Sequence, residues 1–293
     1  MAIQQPAKRS YGTVFLGFLA LCHPIPVLFH LIAITIFALL AAWPHPVWSV
    51  VLLIVGAHTA MQMAIAILND YCDRKTDAIS KPSKPITRGL ITPREALIAG
   101  CLMIVIMVLL LLPLPPLAGL LLLIYLALGT AYNLGLKSTP LSGIVFALAM
   151  PLIPLYAFAG NGRNIPFLIW LVPAGFLLGV ALNLANSLPD LEEDAAGGVR
   201  TLAVVLGVKR SFLLGNALLI LSALLILTLH LTGILHIQPL ALTLTLLLTA
   251  LLLLVILFST GAEKPRATRK LYFYLLTLTC IVLVGGWFLG ALI

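Results

Sequence analysis

Long apolar segments follow one another along the chain, separated by short stretches that contain proline, glycine or charged residues. Each segment has about the 20 residues that a helix needs to cross a membrane, whereas barrel strands would be short and alternating. The pattern predicts nine membrane-spanning helices, at approximately 13–42, 47–68, 95–112, 116–136, 139–159, 165–188, 209–232, 238–259 and 271–292. The predicted fold class is an all-α, polytopic membrane bundle with a central cavity, in a single domain over residues 1–293.

Composition agrees with this interpretation, because 62% of the residues are hydrophobic, only 9% are charged and the mean hydropathy is +1.17. A soluble core of this length does not require so much apolar sequence. The net charge of +8 could indicate nucleic-acid binding in a soluble protein, but these charges lie in loops beside apolar segments. Membrane topology and anionic lipid explain them better, so no nucleic-acid partner is predicted. The four cysteines have no spacing typical of zinc or disulfides.

The distribution of charge predicts how the bundle is oriented. With a cytoplasmic N-terminus that carries Lys8 and Arg9, sixteen of the seventeen Lys and Arg residues fall on the cytoplasmic side and only Arg163 falls outside. All nine acidic residues fall on that same side. The positive-inside rule therefore predicts an N-terminus in the cytoplasm and a C-terminus outside, and the first segment is too long for a signal peptide. We expect a multi-pass protein of a prokaryotic plasma membrane with its active site at the cytoplasmic end.

Two acidic motifs of identical spacing occur at the ends of apolar segments. Asn69, Asp73 and Asp77 recur every fourth residue, so in a helix their side chains fall within about 80° of one another. The second motif repeats this spacing 117 residues later, at Asn186, Asp190 and Asp194. Because each motif follows an even-numbered span, we expect two parallel pseudo-repeats, about 13–136 and 139–259, followed by a ninth helix at 271–292.

The chemistry of the motifs indicates a Mg²⁺ site. Magnesium prefers hard oxygen ligands and usually takes one or two carboxylates together with water and substrate phosphate oxygens. A single acidic loop would more simply be a solvated turn at the membrane surface. Two copies that continue spans carrying polar residues favour a site facing the bundle interior. The candidate metal ligands are Asn69, Asp70, Asp73, Asp77, Asn186, Asp190 and Asp194.

Basic residues follow both motifs and could bind a diphosphate through charge-assisted hydrogen bonds. The candidates are Lys84, Arg88, Lys137 and Arg200. The alternative is that these are ordinary positive-inside loop residues. Tyr125 and Tyr132 lie on one face of the fourth span, where their alternative role is interfacial anchoring. Pro189 should kink or break the helix that carries the second motif. Histidines without ligand spacing are interpreted as interfacial or packing residues, namely His23, His30, His45, His230 and His236.

Taken together, these motifs resemble a known family. The residues concerned are Asn69-Asp70-x-x-Asp73-x-x-x-Asp77, Lys84-Pro85, Arg88-Gly89, Tyr132-Asn133-Leu134-Gly135-Leu136-Lys137, Asn186-x-x-Pro189-Asp190-x-x-x-Asp194 and Gly198-x-Arg200-Thr201-Leu202. They look like the motifs of the UbiA superfamily of intramembrane prenyltransferases, and the likeness covers the whole chain. The resemblance implies Mg²⁺ as cofactor, a prenyl diphosphate as donor and a lipophilic acceptor that enters from the bilayer.

The resemblance also implies roles for individual residues. Both motifs would bind magnesium directly or through water, while Lys137, Arg88 and Arg200 would contact the diphosphate. Many members that prenylate aromatic acids have a basic residue beside an Arg-Pro or Lys-Pro pair on the first span. Here His23-Pro24-Ile25-Pro26 takes that place, which disfavours a carboxylated aromatic acceptor such as 4-hydroxybenzoate.

The predicted function is magnesium-dependent transfer of an isoprenoid chain to a lipophilic acceptor, such as an aromatic quinone precursor, through an allylic carbocation. The candidate catalytic residues are Asp73, Asp190, Lys137 and Tyr132. Three alternatives stay open: a membrane terpene cyclase of the same superfamily, prenylation of a glycerol phosphate lipid, and a membrane transporter. A transporter would be expected to carry a charge near the bilayer midplane and an inverted repeat.

Overall fold

Helices account for the regular structure of the computed structural model, which describes residues 10–163 and 166–292. Lys8 and Arg9, used above to predict orientation, lie outside the described residues. The helices are α1 (Tyr11–Leu21), α2 (Pro24–Ala42), α3 (Trp48–Ser80), α4 (Pro93–Leu111), α5 (Pro116–Asn133), α6 (Ser142–Gly160), α7 (Leu171–Ser187), α8 (Leu191–Ala196), α9 (Leu202–Leu231), α10 (Pro239–Ser259) and α11 (Thr268–Leu292). Within the described ranges, nine helices are long and apolar enough to cross a membrane, as predicted.

Local sequence explains where these helices begin. A proline occupies the first helical position of α2, α4, α5 and α10, where its missing N–H has no intrahelical partner to lose. The start of α4 also has a capping box, because the Thr92 hydroxyl accepts from the Glu95 N–H and the Glu95 carboxylate accepts from the Thr92 N–H. The loops between helices are therefore short and well defined.

Some predicted spans differ from the structure, and one predicted break is confirmed. The segment predicted as one span at 13–42 consists of two helices, α1 and α2, because the chain breaks at Cys22 and His23. Helix α3 continues well past the apolar run that predicts 47–68, so the whole first acidic motif is helical. The second motif lies beyond a break, since a 3₁₀ turn over Leu188–Asp190 separates α7 from α8. Pro189 is the cause, as expected.

The helices pack around a mostly apolar interior. Helix α2 packs on α3, α6 and α11, and α7 packs on α6, α9 and α11, so that these neighbours enclose the centre of the bundle. Helices α4 and α10 pack mainly on α3 and α11 and expose most of their apolar side chains. Exposed leucine, isoleucine and phenylalanine side chains on the outside of the bundle agree with a lipid environment. The chain is an integral, multi-pass membrane protein.

Helices α6 and α7 approach each other closely at Gly179, where backbone faces backbone. A Cβ atom on Gly179 would lie 2.5 Å from Ala147 Cα and 2.5 Å from the Phe146 carbonyl oxygen. These are backbone atoms of α6, which cannot move aside as a flexible side chain can. Small residues allow such contacts between membrane helices.

We therefore predict that Gly179→Ala separates α6 from α7 and lowers the free energy of unfolding by about 1–3 kcal/mol. Gly119→Ala is the matched control, since nothing lies within 4 Å of a Cβ at Gly119 in α5. Thermal unfolding in detergent, followed by tryptophan fluorescence, measures both. A Gly179→Ala protein that unfolds at the same temperature as the control would contradict this account.

Candidate active site

The first acidic motif presents its oxygens in two sets along one end of α3. Lys137 Nζ donates to Asn69 Oδ1 at 2.8 Å and also bonds the Asp73 carboxylate. Lys84 Nζ donates to Asp70 Oδ1 at 2.8 Å and to Asp77 Oδ2 at 2.7 Å. Residues four or seven apart share a helix face, which explains both pairings. Each set of two oxygens therefore already surrounds one cationic group.

Lys84 belongs to a compact loop that follows α3. The Thr87 hydroxyl donates to the carbonyl oxygens of Lys84 at 2.8 Å and Lys81 at 3.2 Å, which folds the loop back over the end of α3. Burial alone lowers the pKa of Lys84, but the carboxylates of Asp70 and Asp77 outweigh it and raise that pKa above its ordinary value. Lys84 therefore stays protonated at neutral pH and neutralises two largely buried carboxylates.

His23 also belongs to this site. It lies at the break between α1 and α2 with a left-handed backbone, φ 50° and ψ 67°, which is uncommon for a residue with a Cβ. Its Nε2 atom lies 3.0 Å from Asp70 Oδ1. The interpretation of His23 as an interfacial or packing residue is therefore wrong: the break in the first span turns its imidazole toward the acidic motif. Backbone strain of this kind often occurs at functional sites.

The second motif is held by arginines from the start of α11 and the loop before it. Arg266 donates through Nη2 and Nε to the Pro189 carbonyl oxygen at 2.7 and 3.1 Å, and Arg269 donates to the Leu188 carbonyl oxygen at 3.2 Å. These carbonyls lie where the α7 helix ends, so they have no regular intrahelical donors. The same arginines pair with the carboxylates of Glu192 and Glu193. The break at Pro189 is thus fixed in place, and it sets the direction of Asp190.

The two motifs meet across the end of the bundle. Lys81 Nζ, at the end of α3, lies 2.5 Å from Asp190 Oδ2 in the second motif. Tyr132 lies near the Asn186 side chain and near the carboxylates of Asp73, Asp190 and Asp194. The structure therefore brings together Asn69, Asp70, Asp73, Asp77, Lys84, Tyr132, Lys137, Asn186, Asp190 and Asp194.

Arg88 and Arg200 are at the edge of this cluster. Both side chains are exposed, and neither forms an ion pair with another described residue. The Arg200 N–H donates to the Ser138 carbonyl oxygen at 3.1 Å, which joins the loop after the second motif to the turn that carries Lys137. These two guanidinium groups are therefore free to approach an anion at the mouth of the site.

The oxygen atoms of the two motifs suit a magnesium ion that binds the protein and a substrate at the same time. No group of three or more His, Cys, Asp or Glu side chains in the described ranges converges on one point. The oxygens instead converge in sets of two, such as Asn69 and Asp73 around Lys137 Nζ. Magnesium typically takes one or two protein carboxylates and completes its octahedron with water and phosphate oxygens. Hard oxygens that already surround a cation suit that use.

An apolar cavity lies next to the acidic cluster. It has a volume of about 120 Å³ and is lined by residues of α2, α6, α7 and α11. Phe146 lines the cavity and packs its ring edge-on against Tyr132, with centroids 5.5 Å apart. Leu182, one turn before Asn186, also lines it. The cluster and the cavity are thus adjacent, with Tyr132 and Phe146 between them.

Several site residues were not predicted from the sequence. The sequence predicts that the loop beginning at Lys81 supplies cations beside the first motif, but it predicts Arg266 and Arg269 only as positive-inside residues and His23 and His30 as interfacial or packing residues. The contacts of Arg266 and Arg269 join residues more than 70 positions apart, which periodicity does not reveal. His23 did carry a signal, since Pro24 and Pro26 directly after it favour a new helix start.

Comparison with known proteins identifies relatives of similar architecture. The UbiA prenyltransferase family matches residues 27–290. The chain is 32% identical over 158 residues to digeranylgeranylglyceryl phosphate synthase of Natronomonas pharaonis, covering 53% of this chain and 56% of that protein. It is 29% identical over 186 residues to 4-hydroxybenzoate octaprenyltransferase of Escherichia fergusonii, covering 62% and 64%. The matched segment thus spans less than two thirds of these relatives' length.

Solved structures share the fold over nearly the whole chain. A UbiA homologue from Archaeoglobus fulgidus bound to GPP and Mg²⁺ superposes with a TM-score of 0.70 at 17% identity, covering 92% of this chain and 98% of that one. A structure of digeranylgeranylglyceryl phosphate synthase gives the same TM-score at 19% identity, covering 95% and 99%. Since the family match extends over most of the sequence, the chain belongs to the UbiA prenyltransferase family.

Proposed function

We propose that this protein is a magnesium-dependent prenyltransferase that moves an isoprenoid chain from a prenyl diphosphate to a lipophilic acceptor inside the membrane. The observation that carries the proposal is the meeting of two acidic motifs, through Lys81 and Asp190, directly beside an apolar cavity. Such a site combines ligands for a metal diphosphate with an apolar space in which the reacting end of the donor's hydrocarbon chain would meet the acceptor. Support also comes from the names of relatives, which are a digeranylgeranylglyceryl phosphate synthase and a 4-hydroxybenzoate octaprenyltransferase.

In this proposal the carboxylates hold the metal and the lysines hold the diphosphate. Asn69 and Asp73, which share Lys137 in the structure, would hold one metal ion, and Asn186, Asp190 and Asp194 of the second motif would hold another. Asp70 and Asp77 both bond Lys84 in the structure and would share it with the diphosphate. Bound magnesium would supply charge neutralisation to the diphosphate leaving group.

The basic side chains would then turn from carboxylate to phosphate. Lys81, Lys84 and Lys137 each bond carboxylate oxygens in the structure, and metal binding would compete for the same oxygens. A diphosphate offers these ammonium groups new acceptors of the same charge. Arg88 and Arg200 are exposed at the mouth and would close over the outer phosphate.

The reaction itself consists of ionisation and capture. The C1–O bond of the donor breaks, its electron pair leaves with the diphosphate, and an allylic cation forms. An electron-rich carbon or oxygen of the acceptor bonds to C1, and the acceptor loses one proton. An apolar cavity excludes the water that would otherwise capture the cation. Tyr132 packs on Phe146 at the border of the cavity, and its ring would stabilise positive charge that develops there.

We also propose the orientation and the repeat. Every described Lys and Arg except Arg163 lies toward the motif end of the bundle, which supports a cytoplasmic active site in a prokaryotic plasma membrane. Corresponding packing of α2 on α3 on α4 and of α6 on α7 on α9 supports two parallel pseudo-repeats within one domain.

Purified protein incubated with magnesium, a series of prenyl diphosphates and a panel of acceptors tests the function directly. We expect diphosphate release together with a prenylated acceptor, both identified by mass spectrometry and both abolished by EDTA. A cyclic hydrocarbon or alcohol formed from donor alone would instead establish the terpene cyclase. Absence of diphosphate release with every donor would refute the proposal. The transporter alternative has no support from the family to which the chain belongs.

The acidic motifs provide a second prediction. Asp73→Asn and Asp190→Asn remove charge with little change of shape, so we expect turnover to fall by at least about 100-fold, in line with removal of one electrostatic stabiliser. Elution and thermal stability in detergent should stay close to wild type. Glu263→Gln, in the exposed loop before α11, is the control and should keep full activity. Full activity of either aspartate variant at ordinary magnesium would exclude the metal assignment.

The arginine contacts provide a third prediction, since they position Asp190 without touching a substrate. Arg269→Gln removes the donor to Leu188 and the partner of Glu192, so the 3₁₀ turn should loosen. We expect a higher magnesium requirement and a loss of about ten-fold in kcat/KM. The neighbouring exposed Lys270→Gln should behave as wild type. Equal magnesium dependence in both variants would show that Arg269 does not position Asp190.

A further inference from the structure

The apolar cavity is lined by one polar side chain that is oriented by a hydrogen bond from another helix, namely His30. Most lining residues are aliphatic or phenylalanine, and the only others with a polar group are Thr277 and Cys280. The Thr277 hydroxyl donates to the Phe273 carbonyl oxygen of its own helix at 2.7 Å, so it is already paired. His30 differs, because it belongs to a polar cluster that extends away from the cavity into the bundle.

The cluster fixes how the His30 ring is turned. His30 Nδ1 lies 3.0 Å from Gln62 Nε2 on α3, so one edge of the imidazole faces α3. Nε2 is on the opposite edge of the ring, and His30 lines the cavity. The second ring nitrogen is therefore the one available to a ligand. A histidine whose other nitrogen is bonded in this way has a defined tautomer and orientation.

Gln62 is held in turn by buried aromatic residues. Its amide lies 3.5 Å from His58 Nε2 and within hydrogen-bonding range of the Tyr125 hydroxyl. His58 stacks on Tyr156, with centroids 6.2 Å apart, and the Tyr156 hydroxyl donates to the Ile54 carbonyl oxygen at 3.0 Å. This chain of contacts from α3 to α6 leaves the Gln62 amide little freedom, so His30 is held rigidly.

Burying the polar cluster around His30 costs free energy, and one of its hydrogen-bonding atoms has no partner in the part of the chain that the structure describes. His58 is completely buried, and its Nδ1 atom has no hydrogen-bond partner among the described residues. Polar side chains at this depth in a membrane bundle usually mark a substrate site or path. The His58 ring lies beside the His30 ring, with centroids 5.6 Å apart, so His30 is the member of this buried polar pair that reaches the cavity.

The chemistry of this anchor limits the ligand. Because the Gln62 amide nitrogen donates to Nδ1, the neutral imidazole carries its proton on Nε2, and a hydroxyl oxygen can accept from that N–H. A carboxylate or phosphate would need a cation, and no Lys or Arg lines the cavity. Burying such an anion without a partner is strongly unfavourable. Phe29, Phe37 and Phe146 line the same space and suit a planar ring.

We propose that His30, oriented by Gln62, binds the hydroxyl group of a neutral, hydroxylated aromatic acceptor, and that the cavity discriminates against carboxylated and phosphorylated acceptors. This inference rests on the proposed function and specifies its acceptor. The transfer step is unchanged: the donor C1–O bond breaks, a ring carbon of the acceptor bonds to C1, and the proton on that carbon leaves. His30 is an acceptor-binding residue in this step.

The test compares acceptors that differ in one charged group. 1-Naphthol and 1-hydroxy-2-naphthoic acid share a ring system and a hydroxyl, and a glycerol phosphate lipid represents the other class. We expect wild-type kcat/KM to be at least about ten-fold higher for 1-naphthol than for either anionic acceptor. His30→Leu should lower kcat/KM for 1-naphthol about ten-fold, as expected for one lost hydrogen bond, and leave the KM for the donor unchanged.

Two further variants separate binding from folding. His30→Gln places an amide near the position of Nε2 and should recover much of the activity, whereas Thr243→Val, which removes a hydroxyl bonded within α10 and outside the cavity, should match wild type. If His30→Leu does not fold, Gln62→Met removes the group that orients His30 and should give a partial loss. Wild-type kcat/KM in a folded His30→Leu protein, or a preference for an anionic acceptor, would overturn the inference.

Different results would refute the acceptor site and the prenyltransferase activity. Diphosphate release that does not depend on His30 would refute the acceptor site and leave the prenyltransferase intact. If no donor releases diphosphate, the prenyltransferase proposal fails, and equilibrium binding of 1-naphthol to wild type and His30→Leu decides the site by itself. Equal affinity in that measurement would refute it, and about ten-fold weaker binding to the variant would support it.

Discussion

The site depends on one constraint: carboxylates buried at the end of an apolar bundle must be paired with cations. Asp70 is almost fully buried and Asp77 is largely buried, and an unpaired carboxylate in such surroundings is very unfavourable. Lys84 satisfies both, Lys137 satisfies Asp73, and Lys81 satisfies Asp190. These three lysines come from outside the acidic motifs, so the loop after α3 and the turn after α5 must fold onto the ends of the helices for the charges to be tolerated.

Breaks in helices determine where those groups point. A continuous first span would leave His23 on an ordinary helix, whereas the left-handed backbone at this residue lets its ring reach Asp70. A continuous seventh helix would carry Asp190 along the α7 axis. Pro189 ends that helix, and the freed carbonyls are bonded by Arg266 and Arg269 instead. In both motifs the functional group lies beside a break, and contacts from distant parts of the chain hold that break in one geometry.

Sequence patterns predict the fold and the acidic residues but not their partners. The nine spans follow from hydropathy, because membrane helices must be apolar along most of their length. The acidic motifs follow from their repeated spacing. The division of the first motif into an Asn69 and Asp73 set and an Asp70 and Asp77 set depends on which lysine approaches from which side. The roles of His30 and Gln62 depend on a contact between α2 and α3, 32 positions apart, which neither periodicity nor composition reveals.

The ion pairs also explain how such a site can exchange its cations. A buried ion pair contributes little net stability, because the attraction between the charges is largely offset by the loss of their hydration. Replacing a lysine ammonium by a metal ion at Asn69 and Asp73 therefore costs little, provided that the displaced ammonium finds a new anion. A diphosphate supplies that anion, while the metal alone does not. In the proposed function, the arrangement around Lys81, Lys84 and Lys137 would thus favour joint binding of metal and diphosphate over binding of either one alone.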